Sequence, residues 1–554
     1  MIDTPAKTTS NKPVFSSAYE STALLTGEAV LQLLDNEKFQ DEWDRLYENC
    51  PWATVFQSRA FVAPWYKLYW KQYLPVLVKT EYGGKLTGLF TLTVDKKKAA
   101  ITGAGSSVAE YQAWLTEDTS DGAFIKKALV EIRKQFPRTT ILVKYMPPKV
   151  PLEWARQDRV WSKHCFIQPF ADPLMVINDE HLTAELKKKN RREKMNRLKR
   201  LGNITFERVT SYTAFENIID ELILQADFRK GARYNKVIFR NEPVRRQFLL
   251  DLFEQHILHV TVLKLNDTII ASNVGIGEKK QLYLQGINSH APSFAKYSPG
   301  IIHFLLLGKL LAREGVNVFD LTPGEDSYKE ILATDHTIVH TLEIGNSYNR
   351  FSNQVQYNIT RQVKKAAARV GINTHDRKKL QRDFSVFKEK IRNLKKQGYG
   401  ILFGYFLSKL RSQKKVNRCR PVPATPLPAI AGLLPVEKDN LHHLVSFKRL
   451  NTIHTQQEFL ADAMDRFEEG GHCYTWVEND TLLACAWTAN PKFSIAEYGY
   501  TVGADQRVVV LSAIYWHPKQ REQVPAFLRS VAAKVVQDEP AASVYIVTDN
   551  SFEF

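Results

Sequence analysis

Between Lys296 and Lys329 the sequence passes from a polar corner to a helical period and then to a short extended run, an order that belongs to an open α/β sheet. The corner Lys296-Tyr297-Ser298-Pro299-Gly300 precedes Ile301, Ile302, Phe304 to Leu307, Leu310 and Leu311 at helical spacing, up to Gly315. Ser298 suits an N-cap and Pro299 a first helical turn. Val316 to Leu321 reads as a strand with Asp320 near its carboxyl end, and the turn Thr322 to Asp326 leads to Tyr328 and Lys329. The first amides of a helix lack main-chain partners and attract anions, and Gly300 lets a ligand approach the backbone closely. Strand ends beside such a terminus collect ligands in open sheets, so Asp320, Tyr328 and Lys329 are candidates to meet an anion held at 298–300. The plain alternative is a capped helix followed by a strand and a turn.

The flanking sequence extends the pattern. Val262 to Leu265 and Thr268 to Ser272 form an apolar hairpin about Asn266-Asp267, and Gln281 to Gly286, with Tyr283, makes the next strand. Upstream, Leu186 to Gly202 is a basic helix that includes Arg191, Arg192 and Lys194. Earlier still, Glu42 to Tyr47 is helical, and Pro75 to Lys79 and Leu86 to Leu92 form a hairpin about Gly83-Gly84. Trp65, Tyr66, Tyr69 and Trp70 read as packing residues. Gly103 to Ser107, followed by Glu110-Tyr111, is a glycine-containing loop before an acidic-aromatic pair.

Length and composition bound the class. The chain has 554 residues, 44% of them hydrophobic, enough for several packed cores. Five cysteines without a C-x-x-C pair argue against a disulfide framework and a zinc site, so a reducing compartment is expected and no metal. The start lacks the features of a signal peptide, and no apolar run is long enough for a bilayer. Net charge is +17, and Arg350 to Arg420 holds twenty Lys or Arg against three acids, leaving the rest in balance. This segment also contains the aromatic patch Tyr399 to Leu407. It suits an anionic membrane surface or a solvated helical connector, and less well nucleic acid, since no RNA-binding signature accompanies it. Pro421 to Pro428 then marks a boundary.

Ser298-Pro299-Gly300, Glu314-Gly315, Phe319-Asp320, Gly324 and Tyr328-Lys329, in that order, resemble the signature of the CelD-like, FemAB-related branch of the GNAT acyltransferases. The resemblance covers roughly residues 50 to 345. It implies an α/β (α+β) fold of tandem GNAT-like halves, each a mixed curved sheet flanked by helices. The expected boundaries are a flexible stretch at 1–25, halves at 26–180 and 181–348, a basic connector and proline-rich linker at 349–428, and a third GNAT-like domain at 429–554. In that third domain, helix Phe459 to Phe467, hairpin Cys473 to Trp487 and strand Val508 to Trp516 fit the family, but its phosphate loop is replaced by Gln520 to Pro525, without glycine. Without close backbone approach, and with Glu522 repelling phosphate, a structural or acceptor-recognition role is expected of it.

The resemblance implies a bacterial, cytoplasmic N-acyltransferase, peripheral at the inner membrane, that moves an acyl group from acyl-CoA (acetyl-CoA) to an amine on a saccharide or precursor in polysaccharide or cell-envelope assembly. An aminoacyl-tRNA-dependent FemAB-type transferase and a non-catalytic scaffold that binds a synthase or a membrane surface are the alternatives. For direct attack on a thioester, Lys329 would stabilise the oxyanion, Tyr328 or Tyr283 would protonate the leaving sulfur, and Asp320 or Glu325 would orient the amine. Lys296, Ser298, Pro299, Gly300 and Ile301 would hold the cofactor. Glu110, Tyr111, Arg191 and Arg192 would meet substrate.

Overall fold

The computed structural model describes residues 20–96, 100–117, 122–278, 280–324, 326–346, 433–448, 455–488, 507–539 and 542–549, with 417–421 and scattered positions between 352 and 391. Glu325, most of the basic segment, its Tyr399 to Leu407 patch and the linker beyond Pro421 lie outside the described residues. The chain divides into two compact units, one of Met1–Pro173, Thr322–Gly324 and His336–Val363, the other of Leu174–Leu321, Glu325–Asp335 and Lys364–Phe554.

In the first unit, strands Glu20–Thr26, Tyr73–Tyr82, Lys85–Asp95 and Ala100–Gly103 pair antiparallel in sequence order. Gly83 and Gly84, both at positive φ, make the expected hairpin turn. Helix Ala123–Gln135 then crosses over, so that Ile141–Met146 joins Ala100–Gly103 in parallel. The other edge of Ile141–Met146 is covered by strand Asp335–Ile344, far along the chain. Trp65, Tyr66 and Tyr69 are core residues as expected, with the Trp65 and Tyr69 rings stacked at 5.4 Å. Trp70 is not; it follows the last turn of its helix and is 42% exposed.

The second unit repeats this order. Helices α1 (Asp179–Lys187) and α2 (Lys189–Lys199) lead to strand β1 (Ile204–Val209) and the long helix α3 (Tyr212–Tyr234). Strands β2 (Leu258–Leu265), β3 (Thr268–Glu278) and β4 (Gln281–His290) extend the antiparallel sheet from β1. Helix α4 (Pro299–Arg313) crosses over to β5 (Val318–Asp320), which is parallel to β4, and Leu174–Val176 closes the far edge of β5 antiparallel. The apolar stripe of α4 drives this packing: Phe304, Leu305, Leu307 and Leu311 meet Leu282, Leu284 and Phe319 in one buried cluster. Each such side chain contributes about 1.5–3 kcal/mol on full burial. Gly315, at φ +72, ends the helix. Helix α5 (Ser327–Leu332), which follows the expected turn, carries Tyr328 and Lys329.

A third copy follows in the same unit. Helix α6 (Gln456–Glu468) precedes the hairpin of β6 (Cys473–Glu478) and β7 (Thr481–Thr488), then β8 (Arg507–Trp516), helix α7 (Val524–Asp538) and β9 (Ala542–Asp549) parallel to β8. Asn417–Pro421, expected inside the connector, is a strand on the outer edge of β9. An edge position tolerates its proline, which donates no ladder hydrogen bond. Helix α6 packs against α3 through a core that joins Phe228, Ala232 and Val237 to Leu460, Phe467 and Trp487.

Candidate functional site

β5 ends at Asp320, opposite Tyr283, whereas β4 runs on to His290 alongside β3. Within that run Leu284, Gln285 and Gly286 stand against Gly275 alone, a bulge that breaks the ladder and re-aims the strand. The Gly286 carbonyl accepts instead from Lys230 Nζ of α3, at 2.5 Å. The parallel pairing stops at Tyr283, the third residue of β4, and a cavity of about 360 Å³ opens beside the free end of that strand and the start of α4.

Its walls include Arg229 and Arg233 of α3, Asn288 and His290 of β4, Lys296, Ser298, Gly300 and Ile301 at the helical corner, Tyr328 of α5 and Glu468 of α6. Of the five expected cofactor residues, Lys296, Ser298, Gly300 and Ile301 line it, while Pro299 is buried in the first turn of α4. Ser298 departs from the expected cap. It adopts φ +53 and its side chain caps no amide; its Oγ accepts from Lys194 Nζ at 2.7 Å. The left-handed corner turns the chain into the helix without a side-chain cap, and the geometry of a helical first turn leaves the Gly300 and Ile301 amides without an intrahelical acceptor.

Tyr328 is held on three sides. Its ring stacks on Phe304 at 5.9 Å, the Arg229 guanidinium lies 5.6 Å from its centroid, and its hydroxyl oxygen accepts from Asn288 Nδ2 at 2.8 Å. Arg229 in turn donates to Asn288 Oδ1 at 2.6 Å, which fixes the amide orientation. Burial is the main reason the phenol pKa is pushed up to about 12; Asp326 adds to it, while Arg229 and the Asn288 hydrogen bond oppose it. The phenol is thus neutral at pH 7, and with its oxygen already accepting, its proton is available to a ligand atom. Burial, reinforced by Arg229 and Arg233, lowers His290 to about 3, so the cavity meets a neutral imidazole there.

The remaining expected residues are placed elsewhere. Asp320 accepts from Gln281 Nε2 at 3.1 Å and stands beside Tyr283 across the parallel strands; both are buried, and neither lines the cavity. Lys329 is 5% exposed on α5 and is likewise not a lining residue. Arg191 pairs with Glu185 on α1 and lines a second cavity, whereas Arg192 is exposed. Glu110 and Tyr111 belong to the first unit. There Tyr111 is buried against Phe56 at 5.9 Å, and its carbonyl accepts from Gln57.

Sequence reasoning missed Arg229, Arg233, Asn288 and His290. The signal was present in the four-residue spacing of Arg229 and Arg233, which sets both on one face of α3 beside the apolar Phe228 and Ala232. In the C-terminal copy a short 3-10 turn, Pro518–Gln523, leads into α7. His517 Nδ1 accepts from the Lys519 amide at 3.2 Å, and Pro525 removes a donor near the start of α7. Among the described residues no group of three or more His, Cys, Asp or Glu could hold a metal, and no helix is long and apolar enough to cross a membrane.

Residues 186–330 match the family described as an acetyltransferase (GNAT) domain. No curated protein matches the chain. Solved structures similar to it include FemX, at 12% identity over 56% of this chain and 97% of that one with a TM-score of 0.39. A tandem GNAT protein from the clavulanic acid biosynthesis pathway is 12% identical over 58% of this chain and 98% of that one, with a TM-score of 0.37. L-PGS from Bacillus licheniformis is 12% identical over 59% and 96%, with a TM-score of 0.38. The matched segment contains β1 to β5, and the same strand and helix order recurs in the first unit and around β6 to β9. Residues 186–330 are therefore the part of this mixed α/β chain that matches an acetyltransferase (GNAT) domain.

Proposed function

We propose that the second unit is an N-acyltransferase that takes its acyl group from acyl-CoA, with the phosphates of the donor held in the cavity at the start of α4. The observation that carries this reading is the convergence of Arg229, Arg233 and Lys296 with the Gly300 and Ile301 amides beside the splayed end of β4. Three cations and two amides free of intrahelical acceptors fit a pyrophosphate, and a neutral imidazole and phenol line the same space for the thioester.

In this reading the chemistry is attack of a neutral amine on the thioester carbonyl, with release of a thiolate. Tyr328 is the proton donor to that sulfur. A thiolate whose conjugate thiol has an ordinary pKa of about 8.5 is a weaker base than this phenolate, so the transfer runs uphill; hydrogen bonds to the phenolic oxygen stabilise the phenolate, and the proton lost by the attacking amine restores the phenol. Lys329, Asp320 and Tyr283 support the shape of α5 and β5 and do not touch the reacting atoms. The acceptor is an amino sugar or an amine-bearing envelope precursor, a choice that rests on the family resemblance.

Isothermal titration calorimetry of the full chain with acetyl-CoA and longer acyl-CoAs tests the donor. Lys296→Ala and Arg233→Ala are expected to weaken binding about tenfold each, the loss of one charge-assisted contact. No heat with any acyl-CoA overturns the reading. A second donor class is favoured by the contact from Lys194 to Ser298, which brings the basic helix α2 to the corner itself. Such a run of cations suits an aminoacyl-tRNA, and binding of charged tRNA in place of acyl-CoA would establish it.

A further inference from the structure

Among the described residues that line the cavity, Arg229, Arg233 and Lys296 carry positive charge and Glu468 is the one carboxylate. This residue comes from the C-terminal copy, at the last position of α6, and is delivered there by the core that joins Phe467 to Phe228. Gly470, at φ +89, turns the chain away immediately afterwards, and a β-carbon placed there would meet Lys296 Nζ at 3.4 Å. The α6 terminus therefore stands at the lip of the cavity, against the same corner that offers its amides to phosphate.

Glu468 stands in a mixed field, with Arg229, Arg233 and Lys296 lining the same cavity. A carboxylate at the C-terminal end of a helix opposes the helix dipole, and a carboxylate beside a phosphate site repels the phosphate. Burial, with Asp465 adding to it, raises its pKa against the pull of Arg233. No ion pair is recorded for it among the described residues. Exposed at the lip of the cavity, the carboxylate is open to a cationic group on a ligand that enters from solvent.

We propose that Glu468 receives the ammonium group of the acceptor, so that the C-terminal copy, which lacks a glycine phosphate loop of its own, serves as the acceptor-recognition wall of the preceding GNAT domain. This assignment rests on the donor reading above. It defines the acceptor as a primary amine that enters past α6, with the carboxylate accepting its N–H bonds until the amine gives up a proton to solvent and attacks. Glu468 is a specificity residue contributed by the C-terminal copy.

The test uses the full chain, acetyl-CoA as donor, and glucosamine, ethanolamine and putrescine as probe acceptors, with thiol release as readout and calorimetry for acetyl-CoA alone. At least one amine is expected to accelerate thiol release. For that amine Glu468→Gln should raise KM about tenfold while the KM of acetyl-CoA stays within about twofold, and Glu468→Asp should recover most of the loss. Unchanged melting temperatures confirm that the variants fold. An unchanged amine KM in Glu468→Gln overturns the proposal, as does a change confined to acetyl-CoA. So does a wild type that binds acetyl-CoA but responds to none of the amines. Absence of acetyl-CoA binding in the wild type is a separate result: it removes the donor reading and this assignment with it.

Discussion

Replacing Gly231 with alanine should destabilise the protein, although helix propensity alone predicts the reverse. Gly231 lies within α3, where glycine to alanine gains roughly 1 kcal/mol. Here, however, the new β-carbon would lie 2.6 Å from Leu460 Cδ1 of α6 and 3.3 Å from Val237 Cγ2. Leu460 is fully buried and has little room to yield, so overpacking should cost about 1–3 kcal/mol, for a net loss near 1 kcal/mol. Leu460→Ala alone should cost about 2–5 kcal/mol. In the double variant the alanine at 231 gains the room it lacked, and the two changes should couple by about 1 kcal/mol or more. The assay is guanidinium unfolding of the four proteins, followed through the transition that includes the C-terminal copy, with m-values compared. A stabilised Gly231→Ala protein with coupling near zero would refute the docking of α6 on α3, and with it the route by which Glu468 reaches the cavity.

Acid should destabilise the chain through its buried imidazoles. Burial holds His290 near 3 and His303 near 4 in the folded state, against 6.5 as the reference, so the unfolded chain binds more protons between those limits. Their contribution is complete above about pH 6.5 and is lost as pH falls toward 3–4, at about 1.4 kcal/mol per pH unit per group. His303→Gln should flatten the fall in unfolding midpoint between pH 6.5 and 4.5; an identical slope in wild type and variant would remove this residue from the effect. Tyr328→Phe should lower kcat at least tenfold and leave acetyl-CoA affinity within about twofold, and wild-type turnover would exclude the phenol as proton donor. Lys329→Glu should lower the melting temperature by several degrees, because it puts a carboxylate where a cation is 5% exposed. A variant that melts normally yet has lost turnover would return Lys329 to the chemistry.

Local periodicity and turn chemistry were enough to place the hairpin at Gly83-Gly84, the strands flanking Asn266-Asp267, the helix from Pro299 to its glycine stop, and α6 with its hairpin. Those signals act over fewer than about twenty residues, the range in which side-chain spacing and backbone preference decide the conformation. The same locality makes the anion corner at 298–300 visible, since it depends only on a helix start. What the sequence could not show is which residues from distant elements meet that corner. Arg229 and Arg233 arrive because α3 packs across the bulged β4, and Glu468 arrives because apolar residues of α6 fill the remaining face of α3. Lys329 and Tyr328 are neighbours in sequence, yet helical geometry turns successive side chains by about 100 degrees, so one is buried among its own elements and the other lines the cavity. Ser298 carries the identity of a cap and lacks its geometry, because its backbone turns left-handed at φ +53 while its hydroxyl accepts from Lys194 of α2. The sequence by itself determined the repeating strand and helix units and the helical corner with its free amides. Only the tertiary structure decided the composition of the cavity, because contacts between elements far apart in the chain are set by packing, which has no local signature.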